Sequence, residues 1–364
     1  MGLEIVFRRE PLPPIDEVER EWRSLETEAT SFFVSWAWIG TMLDIIPAAK
    51  RPMLLRGRAG EGTVALALLG AAATSRRHGL IRSRSLYLNE TGEPQFDAMM
   101  IEHNGILTTP ERESAVLDAM LAWFAEQRSG ADELYLRGCL CRIPTMALAS
   151  RGLLLSETAV PSYIVELDRL TAAGELDPIL SVNARQQMRR TFRHFAAQGN
   201  VQLREASSED EAQRWFTALK SLHCASWERR GQTHSFSRPF FERFHRRLIE
   251  RCFDKGKVQL IEARAGERVI GYLYDFRRGR RIYAYQSGFD DADTRERPGY
   301  LVHALAIRHA FQCGMQIYDF MAGRNRLKEC FATRCVPMIW QVVQQPRLRF
   351  RLEHLGQRLK RWVR

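Results

Sequence analysis

The apolar residues of the first half of the chain follow first a helical and then a strand-like spacing. Residues 18–25 and 36–46 carry apolar side chains three or four positions apart, and the apolar runs 53–55 and 64–69 flank a charged turn that contains glycine. These patterns predict two helices followed by a β-hairpin.

The second half of the chain repeats this order. Its two helices and two strands are predicted at residues 212–226, 240–252, 258–263 and 269–276. The sequence of the turn also recurs: Arg58-Ala59-Gly60-Glu61 in the first half matches Arg264-Ala265-Gly266-Glu267 in the second. One order of elements is therefore present twice.

A helix and a short buried strand then follow in each half. They are predicted at 113–127 and 133–138 in the first half and at 300–312 and 317–323 in the second. Two copies of one α/β unit fit this pattern better than one doubly wound sheet. The strand pattern at 163–167 places the boundary between the copies near residues 161–168.

Composition changes this picture little, but it narrows the function. Of the 364 residues, 45% are hydrophobic and 27% are charged, which excludes disordered and fibrous classes. The net charge of +11 favours anionic partners such as phosphorylated cofactors, nucleic acid or acidic lipid headgroups. The seven cysteines include no CxxC pair, so we expect reduced thiols and no metal site.

The N-terminal segment and the longest apolar run bear on localisation. The first fourteen residues carry charges where a secretory signal needs an apolar stretch. The run 64–73 is about half of the roughly 20 residues of a membrane-spanning helix. We therefore expect a cytoplasmic protein that does not cross a bilayer.

The stretch from Arg281 to Lys328 carries the most chemical information. An aromatic strand at 282–289 leads into the polar loop 290–297, and Pro298-Gly299 then opens an apolar helix. The first N–H groups of a helix are unpaired and lie at the positive end of its dipole, so this arrangement predicts a pyrophosphate site. The structural alternative is that Pro298 merely starts the helix and Gly299 relieves crowding.

These residues resemble a known family, the GNAT acyltransferase superfamily, and within it the CelD/BcsL-type acetyltransferases associated with cellulose and exopolysaccharide biosynthesis. The resemblance covers most of the chain and is strongest from Ser181 to Phe331. The matching motifs, in chain order, are Leu222-His223, Trp227, Arg230-Gly231, Gly288-Phe289-Asp290, Pro298-Gly299, Asp319-Phe320, Gly323 and Lys328.

The resemblance implies an α/β (α+β) fold of two tandem GNAT-like domains, each a mixed twisted sheet flanked by helices. We expect an N-terminal domain without cofactor at 1–165 and an acyl-CoA-binding domain at 166–346. A basic amphipathic helix is expected at 347–364. The donor is then acetyl-CoA or another acyl-CoA, and no metal takes part.

Two departures from the family pattern affect the expected site. The family's usual phosphate loop has fixed residue types at several positions. In this chain Thr294 and Arg297 stand at two of those positions and do not match, and only Gly299 does. Arg295 and Arg297 could compensate by pairing with the phosphates. Leu327 stands where an aromatic often precedes the family's lysine, so a tyrosine acid is absent there.

Acyl transfer from a thioester needs a base for the acceptor and a proton source for the thiolate. The expected catalytic residues are His223 as base, Asp319 to orient or deprotonate the acceptor, and Lys328 to hold an anionic group. A structural histidine and an Asp319–Lys328 ion pair are the alternatives. The residues expected to bind the cofactor are Arg295, Arg297, Gly299, Tyr300 and Leu301, and those expected to bind the acceptor are Trp227, Arg230 and Tyr285.

Two basic segments remain. A helical stretch carries Arg185, Arg189, Arg190 and Arg193 on one face, as either a solvated surface or a grip for a phosphorylated or polymeric acceptor. The tail 347–364 carries +6 of the chain's +11 and a stripe made of Leu348, Leu352, Leu355, Leu359 and Trp362. Such a helix can lie on anionic lipid or pack on its own domain.

The sequence therefore predicts an acyl-CoA-dependent N- or O-acyltransferase for a sugar or glycan-precursor amine or hydroxyl, in polysaccharide biosynthesis. Its expected partners are a small-molecule or glycan acceptor and, peripherally, the inner face of an anionic membrane or a membrane synthase; nucleic acid is not expected. Two alternatives stay open, a Fem-like aminoacyltransferase that uses aminoacyl-tRNA and a non-catalytic GNAT-fold scaffold at a membrane synthase.

Overall fold

The structure, a computed structural model, describes residues 4–127, 130–293 and 295–362, with side chains to residue 356. Thr294, one of the departures in the expected phosphate loop, lies outside the described residues. The chain divides into two compact units. Unit 1 contains residues 1–160 and 338–364, and unit 2 contains residues 161–337.

The first ten elements of regular structure form one series. They are β1 (Ile5–Glu10), α1 (Ile15–Leu25), α2 (Trp36–Ile45), β2 (Met53–Ala59), β3 (Gly62–Arg76), β4 (Ile81–Leu88), α3 (Glu113–Glu126), β5 (Glu133–Cys139), α4 (Thr145–Ala149) and β6 (Leu154–Glu166).

After the helix α5 (Val182–Ala196), the same series of strands and helices returns. Its members are β7 (Val201–Glu205), α6 (Glu209–Arg229), α7 (Pro239–Cys252), β8 (Val258–Ala265), β9 (Arg268–Arg278), β10 (Arg281–Phe289), α8 (Pro298–Gln312), β11 (Ile317–Ala322), α9 (Arg326–Phe331) and β12 (Arg334–Gln344). The helix α10 (Leu348–Trp362) ends the described chain. The helices and strands predicted in each half are present in the predicted order, and the series also contains β1, β4, β7, β12 and the short helices α4 and α9, which were not predicted.

The two sheets share one pairing pattern. In unit 1 the strand order is β1-β2-β3-β4-β5-β12, and in unit 2 it is β7-β8-β9-β10-β11-β6. All neighbours whose register is resolved are antiparallel except one parallel pair in each sheet, β4 with β5 and β10 with β11. The predicted fold class, a mixed α/β architecture with a mixed sheet and helices, is confirmed.

The last strand of each copy crosses the division between the units. Residues 338–344 of β12 complete the sheet of unit 1 beside β5, and residues 161–166 of β6 lie in unit 2 beside β11. The division therefore falls within these strands, whereas the sequence placed it at 165 and 346 and set the tail apart. A local pattern of apolar residues predicts a strand but carries no information on which sheet receives it.

The helix that carries His223, α6, is stabilised by its N-terminal cap and by the charges of its first turn. Ser208 caps the N-terminus of α6, where its hydroxyl accepts from the backbone N–H of Glu211 at 3.2 Å, and three acidic residues occupy the first turn. The buried face of α6 packs on β9 and β10. On the opposite face of the sheet, α8 closes a core with Leu273, Ile282 and Phe320.

One side chain in unit 2 is buried at a cost in free energy. Asp275 of β9 is fully buried, and neither carboxylate oxygen has a hydrogen-bond partner among the described residues. Burial holds the pKa of Asp275 well above its usual range, and the neighbouring Glu205 adds to this, while Arg277 opposes it. Burial therefore favours the protonated form of Asp275 in the folded protein.

We expect Asp275→Leu to raise the melting temperature at pH 7 by about 3–10 °C, because an unpaired buried polar group costs about 1–3 kcal/mol. The folded protein binds a proton that the unfolded chain releases above about pH 4, so wild-type stability falls as pH rises from there. The gain should accordingly be larger at pH 8 than at pH 5. Thermal unfolding at three pH values tests this, with the exposed Asp254→Asn as control; a destabilised Asp275→Leu protein would contradict it.

Candidate active site

The candidate site of unit 2 begins where two parallel strands separate. β10 and β11 pair only over Arg281–Tyr283 and Ile317–Asp319. Beyond these residues the two strands have no common register, so β10 continues to Phe289 with one edge open toward β11. An open strand edge offers backbone N–H and C=O groups to an extended ligand.

The loop after β10 leads directly to the N-terminus of α8. Arg297 caps this helix in the left-handed conformation, with φ 54° and ψ 51°, and Pro298 is its first residue. A left-handed arginine is strained, and such strain collects at ligand-binding sites. The exposed Arg297 forms no ion pair among the described residues and lies over the ring of Tyr300 at 5.8 Å.

The acidic residues of this loop are neutralised by arginines. Asp290 and Glu296 both pair with Arg268, at 2.8 and 2.7 Å, and Glu296 also meets His194 of α5 at 3.0 Å. Asp291 pairs with Arg229 and Arg230 at the end of α6. The loop is thereby fastened to its surroundings, and the acids no longer oppose an anion at the helix terminus.

The expected cofactor residues take different positions in this region. Arg295 is exposed and pairs only with Asp293, at 3.3 Å, among the described residues. A Cβ at Gly299 would lie 3.0 Å from the ring of Phe289 and 3.1 Å from Leu327, so this glycine permits close packing of helix on strand. Tyr300 is half-buried, whereas Leu301 lies in the core and could offer a ligand only its backbone.

His223, the expected base, is buried beside the open part of β10. It is 6% exposed, and its Nδ1 lies 2.9 Å from the carbonyl oxygen of Ser287 on the open part of β10. A carbonyl can only accept, so Nδ1 carries the proton and Nε2 has the lone pair. Nε2 is buried and has no hydrogen-bond partner among the described residues. The imidazole is thus oriented to take a proton from a bound group.

The surroundings of His223 keep it neutral. Burial lowers the pKa of His223, the Ser287 carbonyl opposes this, and the neighbouring His234 and Arg230 lower the pKa further. The rings of Trp227, Phe236 and His234 lie 5.5, 5.4 and 6.0 Å from the imidazole. These contacts favour a neutral imidazole at His223, enclosed by aromatic rings.

Asp319 and Lys328 meet at the backbone of Met321. Asp319 is fully buried, pairs with Arg281 at 2.8 Å, and accepts from the N–H of Met321 at 2.7 Å. The Lys328 ammonium donates to the carbonyls of Ala322 and Met321 at 2.7 and 3.4 Å. Met321 is left-handed, with φ 62°, so both side chains hold a strained turn at the end of β11.

The expected acceptor residues lie near His223 but do not form one surface. Trp227 is half-buried beside the imidazole, and Arg230 is engaged by Asp291 and Ser226. Tyr285 packs among Phe241, His245 and Phe276. Sequence reasoning missed Arg281, because its contact with Asp319 depends on the parallel pairing of β10 with β11.

Neither a metal centre nor a membrane-spanning helix is found in the described part of the chain. No three His, Cys, Asp or Glu side chains there come together as a metal ion would need. The described helices include none with the length and apolar character to cross a bilayer.

Comparison with known protein families gives a match within the second half of the chain. Residues 182–329 match the family model described as an acetyltransferase (GNAT) domain. No curated protein matches the sequence.

Solved structures agree in fold over nearly the whole chain. FemX is 10% identical with a TM-score of 0.55, covering 94% of this chain and 98% of its own. The C-terminal domain of a putative lysylphosphatidylglycerol synthetase from Agrobacterium fabrum is 11% identical with a TM-score of 0.53, covering 91% and 92%. L-PGS from Bacillus licheniformis is 11% identical with a TM-score of 0.52, covering 93% of each chain. Residues 182–329 thus match the model of the GNAT acetyltransferase domain, and the chain as a whole shares its fold with these three solved structures.

Proposed function

We propose that the protein transfers an acyl group from acyl-CoA to an amine or hydroxyl of a sugar or glycan precursor, in polysaccharide biosynthesis. The observation that carries this proposal is the buried Nε2 of His223, which has a lone pair and no partner among the described residues. A general base needs this arrangement, because the proton of the acceptor must have an unoccupied site to move to.

The residues of unit 2 fit an acyl-CoA donor. The left-handed Arg297 and the start of α8 form an anion site that suits pyrophosphate, and the open edge of β10 suits the extended pantetheine arm. When bound, acyl-CoA supplies the thioester carbonyl that the acceptor attacks.

The proton transfers follow from the position of each group. Nε2 of His223 takes the proton of the acceptor N–H or O–H as the new bond to the carbonyl carbon forms. The C–S bond then breaks, and the proton held by His223 returns to the leaving thiolate. Asp319 and Lys328 act in this scheme through the backbone of Met321, as positioning residues.

Acetyl transfer from radiolabelled acetyl-CoA to a panel of amino sugars and oligosaccharides tests the proposal. We expect one CoA site by calorimetry and label transfer to at least one saccharide. Binding of CoA without transfer to any acceptor would favour the scaffold alternative.

An aminoacyl-tRNA donor is the second candidate, and the surface of α5 favours it. Arg185 and Arg190 form no ion pair among the described residues, and α5 borders the loop 290–297 through His194 and Glu296. A basic helix beside the donor site could meet RNA phosphates. Protection of the protein against thermal unfolding by tRNA but not by CoA would establish this alternative.

The C-terminal helix supports a peripheral membrane role. α10 packs in unit 1 through Phe350, which is fully buried, and through Glu353, which pairs with Arg76 at 2.7 Å. The leucines of the predicted stripe are on another face: Leu348, Leu352 and Leu355 are 73%, 58% and 54% exposed. The side chains of Leu359 and Trp362 lie outside the described residues.

We expect this leucine face to bind anionic vesicles, because apolar burial adds to headgroup attraction of about 1 kcal/mol per basic residue. Replacing Leu348, Leu352 and Leu355 by serine should abolish flotation with anionic liposomes at low salt and leave the fold intact. The control is Leu80→Ser, an exposed leucine of the same unit. Equal flotation of the triple variant and the wild type would refute a lipid-binding tail.

A further inference from the structure

In unit 1 the opening between the parallel strands is filled by the chain itself. β4 and β5 pair only over Ser85–Tyr87 and Glu133–Tyr135, as their counterparts do in unit 2. Beyond this point Asn104 bridges to β5: its N–H donates to the Gly138 carbonyl at 2.9 Å, and its amide donates to the Leu88 carbonyl of β4 at 3.0 Å. The described residues of unit 2 contain no such bridge.

The segment that fills the opening, residues 89–105, is held in a strained conformation. Asn89, Met100 and His103 all have positive φ values, of 55°, 48° and 48°. The side chain of Asn89 bonds to Asn104 and to two backbone groups, and Asp97 accepts from Thr91 and Gly92. Strain of this kind persists only where the surroundings over-determine it, and it marks functional sites.

Glycines allow this segment to cross the sheet. A Cβ at Gly70 would lie 2.3 Å from the Glu90 carbonyl oxygen, and one at Gly138 would lie 2.6 Å from the Ile101 carbonyl oxygen. The backbone of Glu90 is therefore fixed directly against β3.

Glu90 and Arg137 form an incompletely bonded pair beside this segment. Glu90 is 5% exposed, and its Oε1 accepts from Arg137 Nη1 at 3.2 Å, while Oε2 is buried without a partner among the described residues. The Arg137 side chain is 35% exposed and lies 5.0 and 5.1 Å from the ring centres of Tyr87 and Tyr135. The pair thus offers one buried acceptor and several donors of a half-exposed guanidinium.

We propose that Glu90 and Arg137 form a binding site for a neutral saccharide, in which one hydroxyl donates to Glu90 Oε2 and a neighbouring hydroxyl accepts from Arg137. Because the two side chains are in direct contact, the donor and acceptor of the ligand must be adjacent, as vicinal sugar hydroxyls are. This inference rests on the proposed function in its choice of ligand class, a saccharide, and it concerns residues of unit 1 alone.

Charge favours a neutral ligand over an ion. The ionised pair sums to zero, so a cation would be repelled by Arg137 and an anion would require Glu90 to be protonated. Burial raises the pKa of Glu90 to about 7; Arg137 opposes this shift and Asp97 adds to it. The thiol of Cys139 also lies in these surroundings. A hydroxyl donates a stronger hydrogen bond to the carboxylate than to the neutral acid, so we expect binding to release a proton.

Calorimetry with cellobiose and N,N′-diacetylchitobiose tests this site, in two buffers of different ionisation enthalpy. We expect at least one disaccharide to bind wild-type protein with proton release at pH 7, and about tenfold more weakly at pH 6 than at pH 8. Glu90→Gln should remove the pH dependence and weaken binding at least tenfold, and Arg137→Met should weaken it similarly. Glu93→Gln is the matched control, because Glu93 lies in the same segment and pairs with Lys50 at the surface.

The inference fails if neither disaccharide binds, if Glu90→Gln binds like wild type, or if only phosphate and glucuronate bind, with proton uptake. The wild-type proton release requires no variant, so a folding defect in Glu90→Gln would not obscure the answer. Saccharide binding without transfer from acyl-CoA would leave this site standing and refute the proposed function. Acyl transfer to a saccharide without saccharide binding at Glu90 would support the proposed function and refute this site.

Discussion

Replacing His223 by alanine is expected to lower kcat for acyl transfer by about 10²- to 10⁴-fold, the usual effect of losing a positioned base. Because burial lowers the pKa of His223, wild-type activity should fall only below about pH 6.5, where the imidazole takes a proton. In His223→Ala that limb of the pH profile should disappear. Steady-state rates from pH 5 to 9 measure both effects.

Three controls separate lost chemistry from lost structure. His309→Ala changes a histidine of α8 that contacts Glu205, and it should keep kcat within about twofold. CoA affinity and melting temperature of His223→Ala should stay near wild type. Asp319→Asn should lower kcat too, but with a loss of stability, because it leaves Arg281 beside a neutral partner. Full activity of His223→Ala on the true acceptor would show that another group is the base.

Gly299→Asp is expected to weaken CoA binding about 100-fold or more, through like-charge repulsion with phosphate at the start of α8. Calorimetry on the wild type should give one CoA site, because Asn104 occupies the corresponding opening of unit 1.

Gly299→Ala distinguishes charge from crowding. Its Cβ meets Phe289 and Leu327 as closely as that of aspartate does, so both variants should lose about 1–3 kcal/mol of stability. Only the aspartate variant should lose most of its CoA affinity. Two CoA sites in the wild type, or equal affinity in all three proteins, would rule out this position for the cofactor.

The repeated order of elements was predictable because it follows from local patterns of apolar and polar residues. Strongly apolar or amphipathic segments such as α7 and β9 carry their own periodicity. β1 was missed, because three of its six residues are charged and only Phe7 is fully buried. β3 extends to Arg76, well past its apolar run, because polar residues there pair with β4 across the sheet.

The candidate site was predictable only in part. His223 could be proposed from a motif, but the tautomer that frees its Nε2 depends on the Ser287 carbonyl, 64 residues away. The sequence did not indicate that Glu90 is buried, because a glutamate in a polar loop is expected to be exposed to solvent. Its burial follows from Gly70 and Gly138, which let the segment cross the sheet. Contacts of this kind depend on tertiary structure and have no local pattern.

The exchange of last strands between the copies has a consequence for biosynthesis. When residues 1–160 of the nascent chain have emerged from the ribosome, the sheet of unit 1 is still incomplete, because residues 338–344 have not yet been translated. Until they arrive, the edge of β5 stays unpaired and is open to wrong partners. Splitting the gene between its two repeats would leave each product one strand short, so we expect correct folding of both units to require their expression as one chain.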